Sequence, residues 1–229
     1  MRKNRLSVKR YAMIFQVPTE SLIFLLPALI MSLTVHEYAH ARTAMHFGDN
    51  TAKSLGRVTL NPLKHLDVLG TLALLLVGFG WAKPVPINPS YMRKRPFSEI
   101  MVSLAGPGSN LLLAMAAAIT LRIINAFDAS GSLEALTTAI FYLAAINIIL
   151  CVFNLMPLYP LDGHHILRDL LPASKRISYQ YWQIRYGMII LLVIVFGPEL
   201  LGKMTGRHVL DPLGWVLQKA IYLIYFIGE

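Results

Sequence analysis

The chain has 229 residues, 55% of them hydrophobic and only 14% Asp, Glu, Lys or Arg. Soluble domains carry about 45–50% apolar and about 25% charged residues, so this composition excludes a disordered chain and argues against a water-soluble globule. The formal charge of +9 does not point to nucleic acid, because the basic residues gather in the breaks between apolar runs, where membrane proteins keep Lys and Arg on the cytoplasmic side.

The start, MRKNRLSVKR, followed by an apolar run, looks like a signal peptide. Cleavage at the A-x-A of Ala39–Ala41 would remove the most chemical motif of the chain, and equally apolar segments follow. A retained membrane segment is therefore expected. The first stretch long enough for the ~20 apolar residues of a spanning helix runs from Ser21 to about Ala44. Leu66–Trp81 is apolar but short, and holds Gly70, Gly78 and Gly80 ahead of the proline-rich AKPVPINP. It is expected to be a re-entrant or hairpin segment, which lipid tolerates only where protein or water covers the backbone.

Glu99–Phe127, Ala135–Leu155 and Ile184–Leu201 are further spanning candidates, and GPGSN at 106–110 is expected to break the start of the first of these. Pro212–Ile227 either spans or lies in the interface. The expected fold is an all-α polytopic membrane protein of about five to six transmembrane helices, with a re-entrant or hairpin segment near 66–86. A single membrane-embedded domain, 1–229, would have its core at 21–167 and additional C-terminal membrane helices at 184–228. Cys151 is the one cysteine, which rules out an intrachain disulfide and a cysteine-rich zinc site.

His36-Glu37-Tyr38-Ala39-His40 is H-E-x-x-H. On a helix, positions i and i+4 share a face, so His36 and His40 can hold one zinc ion, and Glu37 is placed to take a proton from a zinc-bound water. Chance matches occur in soluble helices. Here three ionisable groups end an apolar run, and ionisable groups inside a membrane segment are costly and functional by default. Asp162, at the end of NLMPLYPLDG, is the candidate third ligand or else an ordinary turn aspartate. Pro157 and Pro160 break the preceding helix there, and Gly163 permits a tight turn. His164 and His165 are read as turn or interface residues, and His46, His65 and His208 as polar-loop histidines. Asn110, Asn147 and Asn154 are each open to two readings, support of substrate or oxyanion and packing between helices.

These motifs in this order, H-E-x-x-H, then GPGSN, then NLMPLYPLDG, resemble the site-2 protease family of intramembrane zinc metalloproteases. The segment from Thr51 to Pro89 resembles the linker of its small prokaryotic members, and the likeness covers about Ala28 to Leu167. It implies one Zn2+ per chain held by His36, His40 and Asp162, with Glu37 as general base. It places Asn110 and Asn154 near the site in substrate or oxyanion support. It also implies cleavage of a membrane-anchored protein substrate within or beside its transmembrane segment. Unlike the longer members, the chain is expected to lack PDZ and CBS domains.

Convergence of the ligands requires the C-terminal end of the first helix, the start of the second and the end of the third to face one side. Eight Lys and Arg between Arg42 and Arg95, and four between Arg168 and Arg185, then lie on that side. By the positive-inside rule it is cytoplasmic, and the resemblance implies a prokaryotic cell membrane; either the N-terminal basic residues are exceptions or the first twenty residues double back. A hairpin at 66–86 would offer a strand edge to an extended substrate. The rival readings are a transporter or channel with the histidines as a metal transit site, and a silent scaffold that has no physical need for an intact H-E-x-x-H.

Overall fold

The computed structural model describes residues 19–70, 82–128, 131–206 and 210–228. Helix α1, Leu22–His46, has 25 residues and carries Pro27 in its second turn. At about 1.5 Å per residue it exceeds the ~30 Å hydrocarbon core of a bilayer. Helix α2, Phe97–Phe127, is longer still at 31 residues, and α3 is Glu134–Asn154. Between α2 and α3, the Asp128 carboxylate accepts from the backbone N–H groups of Ser132 and Leu133, which closes a tight reversal and sets the two helices antiparallel. A short helix, α4, covers Asp162–Leu170. Helix α5 runs continuously over Ala173–Thr205, with one π turn at Gln183–Gly187. The last, α6, is Pro212–Gly228.

The core is small-residue packing between helices. Ala114, Ala117 and Ala118 of α2 meet Ala144 and Ile148 of α3 and Ile221 of α6. In lipid, helices gain no hydrophobic drive by associating, so close backbone approach over small side chains is what holds them. Helix α1 lies against both α2 and α3, with Ala28 packed on Tyr142 and Ile146.

The fold is all-α and polytopic, with no strand among the described residues. Among the described residues four helices, α1, α2, α3 and α5, are long and apolar enough to cross a membrane, where about five to six spans are expected of the chain. Helix α6 has 17 residues, at the lower edge of the ~17–25 that can span. In the other doubtful segment, an antiparallel bridge joins Leu66 to Ala82 and the Lys83 N–H donates to His65 O. The ends of the glycine-rich segment therefore meet; residues 71–81 lie outside the described ones, as do the N-terminal basic residues and His208.

Two local expectations are corrected. GPGSN does not break its helix: Pro107 is buried inside α2, in keeping with the tolerance of spanning helices for Pro and Gly where neighbouring groups satisfy the backbone. Gly163 is not a turn glycine but the second residue of α4. Its hydrogen is needed because a Cβ would collide with the carbonyls of Leu155 and Met156.

Candidate metal centre

His36 and His40 lie one turn apart on α1 and are both buried. Asp162 opens α4 just past the loop that leaves α3, so the three come from two elements that the α1–α3 contact holds together. Their ligand atoms converge. His36 Nε2 and His40 Nε2 are 3.0 Å apart, and Asp162 Oδ2 is 3.2 Å from the first and 3.3 Å from the second. Ligands at about 2.0–2.1 Å around a tetrahedral zinc ion stand about 3.4 Å from each other, so the triangle has the size of such a site.

The protonation pattern agrees. His36 Nδ1 donates to Asn110 Oδ1 at 2.6 Å and His40 Nδ1 donates to Val102 O at 2.7 Å. With the protons on Nδ1, both Nε2 lone pairs point at each other and at a carboxylate oxygen that is buried without a hydrogen-bond donor. Three electron-rich atoms facing one point repel unless a cation sits among them, and the hydrogen bonds on Nδ1 are the outer support that metal-binding histidines use. Among the described residues, these three form the one group able to hold a metal ion.

Glu37 Oε2 accepts from the Val85 N–H at 2.9 Å. This ties the helix to the stretch 82–88, itself held by the Arg57 guanidinium, which donates to Lys83 O at 2.7 Å. Glu37, the two histidines and Asp162 line a cavity of about 790 Å3. Its apolar walls come from Leu33 of α1, Leu150 and Phe153 of α3, and Met188 and Leu191 of α5. Asn154 is in the same wall and donates to Leu150 O of its own helix. Asn110 is not: it is fully buried behind His36.

Of the other histidines, His165 lines the cavity while His164 turns away and stacks on Tyr179. Burial, with the charges of His165 and Arg168, pushes His164 down to about 4, so it is neutral at pH 7. His65 lies in a loop, as expected, and is buried there, with Nε2 donating to Thr59 O at 2.8 Å. Glu99 is another buried charge, paired with Arg95 and with Arg168, whose guanidinium also grips Asp169. That network fastens the start of α2 to α4. Gln183, at the π turn, was not anticipated at all. Its Oε1 accepts from Tyr159 N–H at 2.9 Å and its Nε2 donates to Pro157 O at 2.7 Å, clamping the loop that delivers Asp162.

Comparison with known proteins gives the family. The model described as "Peptidase family M50" matches residues 24–132 and 121–196. The chain belongs to peptidase family M50. The M50 match takes in every residue of the converging triangle. A Bacillus subtilis (strain 168) protein named "Putative zinc metalloprotease YwhC" is 41% identical over 200 residues, covering 86% of this chain and 88% of that protein. "Putative zinc metalloprotease Rip2" of Mycolicibacterium smegmatis is 33% identical over 186 residues, 78% of this chain and 68% of that one. Its namesake in Mycobacterium tuberculosis (strain ATCC 25618 / H37Rv) is 30% identical over 191 residues, 80% and 71% of the two chains. No solved structure matches the chain.

Proposed function

We propose that this M50 chain is an intramembrane zinc metalloendopeptidase that hydrolyses a membrane-anchored protein within or next to its transmembrane segment. The observation that supports this most is the pairing of a metal-sized triangle, His36, His40 and Asp162, with the Glu37 carboxylate in the wall of one cavity. A zinc ion held by His36, His40 and Asp162 would supply a water of pKa lowered toward ~7 and polarisation of a carbonyl. Glu37 takes the proton of the attacking water and returns it to the leaving amine; the Val85 N–H keeps its carboxylate in position. Leu33, Leu150, Phe153, Met188 and Leu191 receive an apolar substrate segment and keep bulk water out, and Asn154 supports the substrate or its oxyanion from the wall.

The twelve Lys and Arg that flank the site in sequence, eight over 42–95 and four over 168–185, support a site toward the cytoplasmic face of a prokaryotic membrane. Purified protein with a single-span model substrate should give two peptide products, lost on chelation and restored by zinc. Metal flux across liposomes without products would overturn the reading in favour of a transporter.

The stretch at 82–88 borders the cavity through Ala82, Pro84, Val85 and Ile87, which supports an extended substrate running beside it, since a protease needs its peptide unwound. Prolines introduced along Val77–Pro86 should lower cleavage several-fold with zinc retained. Loss of zinc in the same variants would show that the segment serves the metal centre instead.

A further inference from the structure

We propose that Asn147 and Ser32, which belong to no recognised motif of the chain, are positioning residues that fix the tautomer of His36. The inference rests on the reading of His36 as a metal ligand and asks what holds that ligand ready.

Ser32, Asn110 and Asn147 are fully buried where α1, α2 and α3 meet. They form a hydrogen-bond chain whose sense is set at its far end by groups that can act in one way only. The Ser32 hydroxyl donates to Ala28 O at 2.6 Å, so toward Asn147 it offers a lone pair. The atom of Asn147 that meets it at 2.7 Å is the amide nitrogen, which also donates to Leu143 O at 2.8 Å. A backbone carbonyl and a committed hydroxyl both require donors, and the Asn147 amide therefore cannot turn over.

That leaves Asn147 Oδ1 facing Asn110, whose Nδ2 donates to it at 2.8 Å and reaches Ser32 O at 3.3 Å. Asn110 Oδ1 is then the atom that meets His36 Nδ1 at 2.6 Å. A carbonyl oxygen accepts, so Nδ1 carries the proton and Nε2 keeps its lone pair, aimed at His40 and Asp162. Reversal of Asn110 would present its amide N–H donor to Nδ1, move the proton to Nε2 and close the ligand position. The chain guards against this across three helices, in a medium without water to re-satisfy a broken link.

The test turns on Asn147, because packing and positioning predict opposite orders of substitution. Asn147→Leu keeps the volume, suits a buried apolar setting and removes the acceptor for Asn110. Asn147→Asp keeps an acceptor oxygen but is the worse residue for a lipid-buried core. Metal-stripped full-length chain is titrated with Zn2+ against a chromophoric chelator, and Co2+ spectra are recorded, with the thermal midpoint of the metal-free protein as a separate readout.

Loss of an outer support of a metal ligand costs about 10–100-fold in affinity. Positioning predicts that fall for Asn147→Leu with an altered Co2+ spectrum, and affinity within a few-fold of wild type for Asn147→Asp. Should Asn147→Leu fail to fold, Ser32→Ala serves, since it removes one of the two acceptors that hold the Asn147 amide; a threefold to tenfold loss is expected. Wild-type affinity and spectrum in either variant overturn the proposal. His36→Ala in the same titration separates the two levels. If it binds zinc as wild type does, the ligand assignment itself has failed; if it loses zinc while Asn147→Leu does not, only the positioning role has.

Discussion

Glu37→Gln should abolish cleavage of a membrane-anchored model substrate while one zinc ion per chain stays bound. Glutamine keeps the shape of the side chain, and its amide oxygen still accepts from the Val85 N–H that meets Glu37 Oε2 in the wild type. The stretch at 82–88 thus keeps its anchor on α1, and none of the three metal-sized contacts involves Glu37. What glutamine cannot do is accept the proton of an attacking water. Loss of a positioned general base costs about 10²–10⁴ in rate, and the loss should fall on kcat with KM little changed, as for a group used only in the transition state. Metal analysis alongside product formation checks it. Wild-type turnover in the variant would refute Glu37 as the base.

Residues became legible in the sequence to the extent that their partners are near in the chain or their presence is costly. His36 and His40 stand one helical turn apart, a spacing readable without a fold. Asp162 and Glu37 stand out because charge is expensive beside an apolar run. Asn110 was visible as an amide in lipid, yet its partners are 74 and 37 positions away, and which helix faces which depends on crossings that hydropathy does not encode. Ser32 was invisible for the same reason: a serine in a spanning helix commonly bonds its own i−4 carbonyl, and it does so here while also accepting from α3.

Four helices reach spanning length and apolarity among the described residues, and an apolar run reports only partition out of water. It does not say whether a 17-residue helix packed on α2 and α3 crosses or lies in the interface. The burial of His65 was not readable, because it comes from the way residues 59–66 meet 82–83, a long-range closure with no local signature. Gln183 was missed since the loop it clamps lies 24 and 26 positions earlier.

Gly106→Ala should strip the protein of zinc although it improves the helix. Alanine is favoured over glycine inside a helix by about 1 kcal/mol, and on propensity alone α2 would gain. The site opposes this. A Cβ at Gly106 would stand 2.6 Å from both His36 Cε1 and His36 Nε2, and closer still to His40 Nε2. Such a clash is cheap when a flexible side chain can swing aside. Neither ring can, because His36 is held at Nδ1 by Asn110 and His40 at Nδ1 by Val102 O, so relief requires breaking those bonds or parting α1 from α2. Zinc affinity should fall at least a hundredfold, beyond the ~10–100-fold cost of losing one outer support, and cleavage should drop to background. The metal-free thermal midpoint should stay level or rise if the rings yield, and fall if the helices part. Gly108→Ala is the matched control: the same helix and the same propensity gain, with nothing within 4 Å of the added methyl, so zinc and activity should both be kept. Equal zinc affinity in the two variants would mean that the close approach of α2 to the imidazoles does not shape the metal centre.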